Sequence, residues 1–86
     1  MSRDEIAARI TAFIEHDLLV ELGADATGDT DLFRAGVVES RDYLRILRFI
    51  QSDLGVEMTD EELFVNVLVS VNGMIEFVCR KQGAEA

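Results

Sequence analysis

Several residue types on which small proteins commonly depend are scarce or missing from this chain of 86 residues, which has no proline, no tryptophan, one cysteine and one histidine. Cys79 cannot form an internal disulfide, which excludes a disulfide-stapled secreted domain. His16 has no second histidine or cysteine at ligand spacing, so a structural role is favoured over metal binding. No apolar run of about eighteen residues and no signal-peptide pattern occurs, and we therefore expect a cytoplasmic protein that does not span a membrane.

Basic residues are also scarce, because eight Lys and Arg stand against 17 Asp and Glu, for a net charge of −9. This charge repels nucleic-acid phosphates and anionic membrane surfaces, so neither is expected as a partner. Hydrophobic residues make up 49% of the chain, which predicts a packed globule rather than a disordered acidic tail. We expect residues 1–86 to form one monomeric domain with a flexible tail from about residue 80.

The usual signatures of catalytic and metal sites are missing. The chain has no glycine-rich phosphate loop, no His-x-x-x-His and no Cys-x-x-Cys pair, so an enzyme is not expected. The acidic segment does not fit a calcium loop, because the ligand positions counted from Asp25 or Asp29 are interrupted by Thr27 or Phe33. Neither frame has glycine at the sixth position or glutamate at the twelfth, and no metal is expected.

Helical periodicity begins close to the N-terminus. Ser2 and Glu5 have the spacing of a capping box, and apolar residues then recur at three- and four-residue steps: Ile6, Ile10, Phe13 and Ile14. Gly23 is a candidate C-terminal stop, so this pattern predicts a first helix from about residue 4 to residue 22.

A long loop and a second helix follow. Residues 23–39 carry no sustained period, and we expect Leu32, Phe33 and Val37 to anchor this loop to the core. The second helix is predicted from Ser40 to Gly55, with its apolar face made of Tyr43, Ile46, Leu47, Ile50 and Leu54.

Two further capping patterns predict two more helices. Thr59 and Glu62 form a capping-box pattern that opens a short helix through about residue 65. Ser70 is the predicted cap of the last helix, whose inward face holds Val71, Met74, Ile75 and Val78. The sequence therefore predicts an all-α fold, a four-helix bundle with a long first loop and a short third helix. Met58 and Met74 are expected only to fill the core, and Cys79, a lone thiol near the end of the last helix, is assigned no role.

The segment Gly36-Val37-Val38-Glu39-Ser40 delivers a serine to the start of an amphipathic helix. A phosphodiester on that serine would lie against free backbone N–H groups and the positive end of the helix dipole. The simpler alternative is that Ser40 only caps the helix.

The motif from Asp31 to Ser40, followed by Leu44, Leu47 and Asp53-Leu54-Gly55-Val56-Glu57, closely resembles acyl and peptidyl carrier proteins. The segments Asp60-Glu61-Glu62-Leu63 and Ser70-Val71 match as the third helix and the cap of the fourth, so the resemblance covers nearly the whole chain. It implies an acyl-carrier-protein-like four-helix bundle with 4′-phosphopantetheine from coenzyme A attached to Ser40. The implied partners are a phosphopantetheinyl transferase, a loading enzyme for acyl or aminoacyl groups, and later enzymes of polyketide or nonribosomal peptide biosynthesis.

The resemblance also implies that the second helix docks partner enzymes, through Glu39, Arg41, Leu44, Arg45 and Arg48. Glu39 stands where the family usually has aspartate, and Arg41 where it usually has an apolar residue. The family's docking helix is usually acidic, whereas residues 41–55 carry a net charge of +1 against −10 for the rest of this chain.

Four alternatives stay open at this point. The arginines can be a solvated helix face, and Phe49 can be a core residue or an apolar docking contact. The chain can also be a carrier-like bundle that is never modified and acts as a binding or scaffold subunit. A small acidic helical regulator fits the composition too, but it gives no reason for the turn that precedes Ser40.

Overall fold

Three α-helices carry the fold in the part of the chain that the structure describes: α1 (Arg3–His16), α2 (Ser40–Ser52) and α3 (Val71–Gln82). This computed structural model describes residues 2–62 and 66–83, and a 3-10 helix, Asn66–Val69, precedes α3. The described residues contain no β-strand and only one isolated bridge, between Leu22 and Ala26. The predicted all-α class is confirmed.

Helix α1 begins as predicted and ends earlier. The Ser2 hydroxyl accepts a 3.2 Å hydrogen bond from the main-chain N–H of Glu5, which caps the first turn. The prediction that the helix continues to residue 22 is wrong, because Leu19 has a φ of +58°, in the left-handed region that a right-handed helix cannot include. Gly23 does have a positive φ, but it lies in the turn beyond.

Helix α2 begins at Ser40, as predicted, and ends at Ser52, shortly before the expected stop at Gly55. Gly55 has a φ of +67° and turns the chain, so that the N–H of Val56 reaches the carbonyl oxygen of Ile50 at 3.2 Å. The following Val56 is buried.

The capping box predicted at Thr59 and Glu62 is present. The N–H of Thr59 donates to the Glu62 carboxylate at 2.9 Å, and the N–H of Glu62 donates to the Thr59 hydroxyl at 3.2 Å. The predicted short third helix extends into residues 63–65, which lie outside the described residues. The count of three α-helices therefore applies to residues 2–62 and 66–83.

Helix α3 is capped at both ends. The Ser70 hydroxyl accepts from the N–H of Gly73 at 3.0 Å, as predicted, and Gly83 ends the helix with a φ of +69°. The helix includes residues 80–82 of the expected tail, whose last residues, 84–86, lie outside the described part of the chain.

The core is built from all three helices and the connections between them. Helix α1 packs against α3, and Arg3 of α1 forms an ion pair with Glu76 of α3. The predicted apolar faces and the loop anchor Leu32 are confirmed by the following buried residues: Ile6, Ile10, Phe13, Ile14, Leu32, Ile46, Ile50, Leu54, Val71, Met74, Ile75 and Val78. Cys79 is buried as well. Other predicted core residues are half-buried against this cluster: Phe33, Val37, Tyr43, Leu47 and Met58.

The long connection between α1 and α2 is fastened to the end of the molecule where α3 begins. The N–H of Leu32 donates to the carbonyl oxygen of Val69 at 2.9 Å, and the N–H of Asn72 donates to the carbonyl oxygen of Gly28 at 2.9 Å. The Asn72 side chain also donates to Asp29 Oδ1 at 2.7 Å. A Cβ on Gly28 would lie 2.8 Å from the Asn72 amide oxygen, so a larger residue here would displace the Asn72 side chain. The connection thus reaches α2 from a fixed position.

In the described residues, no helix has the length and apolar character required to cross a membrane.

Candidate functional site

The turn before α2 is organised by Asp31. Its side-chain oxygen accepts hydrogen bonds from the N–H groups of Phe33 at 3.1 Å and Arg34 at 3.0 Å, which starts a tight turn. Gly36 ends the turn with a φ of +76°, a conformation that L side chains rarely adopt. The chain then doubles back, so that the N–H of Val38 donates to the carbonyl oxygen of Leu32 at 3.2 Å.

At the end of this turn, a buried residue is followed directly by two exposed ones. Val38 is buried in the core, whereas Glu39 and Ser40, directly after it, are exposed. The aromatic ring of Phe33 lies edge-on to that of Tyr43, with ring centroids 5.8 Å apart, which packs the turn against the first part of α2. Burial raises the pKa of Tyr43. Because Val38 is anchored in the core, the chain presents Ser40 to solvent two residues later.

Ser40 does not cap α2. Glu39 is the N-cap of α2 and Ser40 is the first helical residue. The carboxylate of Asp42 accepts a 2.9 Å hydrogen bond from the N–H of Glu39, which completes the start of the helix. Within the described residues, the side chain of Ser40 makes no hydrogen bond. The hydroxyl is therefore exposed at the positive end of the α2 dipole without serving as the N-cap.

Charged groups of both signs surround this serine. Arg41 Nε lies 2.7 Å from a carboxylate oxygen of Glu39, and both side chains are exposed. Arg45 lies 3.6 Å from Asp42 on the next turn. His16, the only histidine, is in the last turn of α1 rather than beside Ser40.

The three arginines of α2 differ in their contacts. Arg41 is paired with Glu39, and Arg45 donates a 3.0 Å hydrogen bond to the main-chain carbonyl oxygen of Asp17. Arg48 is exposed and has no ion pair among the described residues. The predicted docking residue Leu44 is 68% exposed. All three arginines of α2 are therefore exposed, but Arg45 also holds the end of α1.

Phe49 is a packing residue. Its ring stacks on that of Phe13 with centroids 4.3 Å apart and an interplanar angle of 15°. This contact joins α2 to α1 beneath an open groove of about 310 Å³ whose wall includes Arg9, His16 and Asp53. Neither this stack nor the contact of Arg45 with Asp17 was predicted from the sequence, because no local pattern indicates which distant residues meet.

The described residues also contain no group of three or more His, Cys, Asp and Glu side chains placed to hold a metal ion. The turn and α2 bring together an exposed serine that bonds to no described side chain or main-chain group, a helix N-terminus, and a row of arginines with one leucine. No family model matches this chain, and no curated protein matches its sequence.

Proposed function

We propose that this chain is a carrier protein that holds acyl or aminoacyl intermediates on a phosphopantetheine arm at Ser40. The observation that carries the proposal is the state of Ser40, which is exposed at the first position of α2 while Glu39 takes the N-cap, and whose hydroxyl bonds to none of the described residues. A serine needed only as a cap would occupy the N-cap position and accept a main-chain hydrogen bond.

The residues around Ser40 fit a phosphodiester. The N–H groups of Ser40 and Arg41 have no hydrogen-bond partner among the described residues and favour an anion, whereas the N–H of Asp42 already donates to the carbonyl oxygen of Glu39 at 2.8 Å. The guanidinium of Arg41 lies one residue away from Ser40. Arg41 already pairs with Glu39. A phosphodiester on Ser40 would therefore compete with the Glu39 carboxylate for the guanidinium of Arg41.

Attachment requires one displacement at phosphorus. The Ser40 oxygen forms a bond to the β-phosphorus of coenzyme A, the bond from that phosphorus to the bridging oxygen breaks, and 3′,5′-ADP leaves with the electron pair. A base of the transferase accepts the hydroxyl proton, since no described side chain bonds to Ser40. When bound, the arm supplies a thiol that carries the acyl or aminoacyl group as a thioester.

The protein's own part is to tether and to be recognised, without catalysis. Tethering raises the effective concentration of the carried group at each enzyme that docks, and weak docking allows exchange between enzymes. Within this proposal the chain acts as a cytoplasmic monomer in polyketide or nonribosomal peptide biosynthesis, with the four-helix bundle that the resemblance implies.

One observation favours a second function, an unmodified binding or scaffold subunit with the same bundle. The ion pair of Arg41 with Glu39 places two long side chains beside Ser40, where they can hinder a transferase. Under this alternative, Ser40 stays unmodified and α2 alone binds the partner.

Incubation with acetyl-coenzyme A, Mg²⁺ and a broad-specificity phosphopantetheinyl transferase separates the two functions. The carrier function predicts that intact mass rises by one acetyl-phosphopantetheine group, and that neutral hydroxylamine then removes only the acetyl group. Ser40→Ala should gain nothing, while Ser52→Ala, at the other end of α2, should react like the wild type. An unchanged wild-type mass with several transferases would favour the scaffold.

A further inference from the structure

Asn72 fastens the long connection between α1 and α2 to the start of α3, and it is exposed. Its side-chain amide donates a 2.7 Å hydrogen bond to Asp29 Oδ1, and its main-chain N–H donates to the carbonyl oxygen of Gly28 at 2.9 Å. These contacts of Asn72 with Gly28 and Asp29 are called the loop clasp below. The clasp depends on an amide, because the side chain at this position must donate to a carboxylate.

The residue after Asn72 is Gly73, and this is the one Asn-Gly pair in the chain. An asparagine followed by glycine is chemically reactive, because glycine has no Cβ to shield its main-chain nitrogen. That nitrogen loses its proton to a solvent base and forms a bond to the side-chain carbonyl carbon, the bond from this carbon to the amide nitrogen breaks, and ammonia leaves. Water then opens the resulting cyclic imide to aspartate or isoaspartate. The side-chain NH₂ is thereby exchanged for OH, which ionises at neutral pH.

The folded structure restrains this reaction at the attacking nitrogen and at the side chain. The N–H of Gly73 donates to the Ser70 hydroxyl at 3.0 Å within the first turn of α3. The bond from the Asn72 amide to Asp29 holds the other reacting group. Attack requires the first turn of α3 and the loop clasp to open, so the rate should follow this local opening equilibrium.

The product carboxylate is incompatible with the loop clasp. It would place an oxygen where the Asn72 amide nitrogen now lies 2.7 Å from Asp29, so a hydrogen bond would be replaced by repulsion between two carboxylates. Within residues 2–62 and 66–83, Asp29 has no ion pair that would offset this repulsion. The dipole of α3 favours an anion in its first turn, but by less than a hydrogen bond to a charged group contributes.

We propose that Asn72 is a site of spontaneous deamidation and that its conversion releases the loop clasp. The connection is then still held by the bond from the N–H of Leu32 to the carbonyl oxygen of Val69, but no longer at Gly28 and Asp29. The release is irreversible, since ammonia is lost. It does not depend on modification of Ser40.

The first test follows deamidation by mass spectrometry of fragments during incubation in mildly alkaline buffer. Asn72 should convert to aspartate and isoaspartate while Asn66, which precedes a valine, stays intact, and urea should speed the conversion. Ser70→Ala should convert about fivefold faster, because loss of a cap favours opening by about that factor. Ser2→Ala removes the matching cap of α1 and should stay within about twofold of the wild type. Gly73→Ala should convert much more slowly, because its methyl group shields the nitrogen.

The second test measures hydrogen exchange in Asn72→Asp, which has the product side chain. Exchange at the N–H of residue 72, which is bonded to Gly28 in the wild type, should rise roughly tenfold or more. Exchange at the N–H of Val56, beyond the end of α2, should not change. Adding Asp29→Asn reverses donor and acceptor and should return exchange at residue 72 to within about threefold of the wild type.

The proposal is overturned if Asn72 stays intact in both folded and urea-unfolded protein, or if Ser70→Ala converts no faster than Ser2→Ala. It is also overturned if Asn72→Asp leaves exchange at residue 72 unchanged, or if the added Asp29→Asn does not lower it. Ser40→Ala should behave like the wild type in both tests, so a failure of modification at Ser40 and a failure of this proposal give different results.

Discussion

The guanidinium of Arg45 donates a 3.0 Å hydrogen bond to the main-chain carbonyl oxygen of Asp17, joining the middle of α2 to the C-cap of α1. A cation at a helix C-terminus is favoured by the helix dipole, and the carbonyl groups there lack helical partners. Arg45 therefore stabilises the fold, a role that its position in the row of arginines does not indicate.

Arg45→Glu should lower the free energy of unfolding by about 1 kcal/mol, because it removes this bond and places an anion at the end of α1. Arg48→Glu makes the same charge change on the same helix and should stay within about 0.5 kcal/mol of the wild type. Urea unfolding followed by circular dichroism measures both. Equal losses in the two variants would show that the Asp17 contact contributes nothing.

Replacing side chains of α2 with alanine should show how deeply each one is buried in the core. Ile50 is fully buried, so Ile50→Ala should cost about 2–5 kcal/mol, a large part of the stability of a small domain. Leu47 is only half-buried, and Leu47→Ala should cost clearly less because less apolar surface is lost. The comparison uses thermal and urea unfolding of both variants. A larger loss for Leu47→Ala would mean that the buried face of α2 is assigned incorrectly.

Leu19 is strained and exposed at the same time. It has a φ of +58° and its side chain is 81% exposed, so glycine relieves the backbone while little packing is lost. Leu19→Gly should raise the free energy of unfolding by about 0.5–1 kcal/mol. The same substitution at exposed Leu44, inside α2, should lower it by about 1 kcal/mol. Two changes of the same sign would contradict the conformation at Leu19.

Glu62 should make stability depend on pH in the acid range. The Thr59 N–H and the Lys81 ammonium, which lies 2.9 Å from Glu62 Oε1, hold the pKa of this carboxyl below its ordinary value of 4.5. Its contribution is therefore fully present above pH 4.5 and is lost as the pH falls through the lowered folded-state pKa.

Glu62→Gln should lower stability at neutral pH and should approach the wild type under acid conditions, where the wild-type carboxyl is protonated. Urea unfolding at a series of pH values measures the difference. Glu57→Gln, which changes an exposed carboxylate without an ion pair in the described residues, is the control. A difference between Glu62→Gln and the wild type that does not vary with pH would rule out this linkage.

The elements that depend on local pattern were predicted well. The spacing of Ile6, Ile10 and Ile14 places them on one face, and all three are fully buried or nearly so. Ser40 was correctly placed at the start of α2, because the apolar period begins there and the glycine turn before it breaks any earlier helix.

Features set by distant contacts were not predictable. The end of α1 was placed at Gly23, the residue with the strongest preference for a helix stop, yet the chain turns at Leu19 and buries Val20. Arg45 lies in the same row of arginines as Arg48, and nothing in the local pattern indicates that Arg45 bonds to the carbonyl oxygen of Asp17, 28 residues away. Local periodicity shows neither that Val20 is buried next to the turn at Leu19 nor that a distant main-chain carbonyl accepts a bond from Arg45.

The central claim is that Ser40 is the site of phosphopantetheine attachment, and locating the modification in the intact chain tests it most directly. Wild-type protein treated with a broad-specificity transferase, Mg²⁺ and coenzyme A should gain one phosphopantetheine group, and fragmentation of the modified chain should place it on Ser40. Ser40→Ala, confirmed as folded by circular dichroism, should gain none. A wild type that stays unmodified with every transferase tried, or a group found at another residue, would contradict the account.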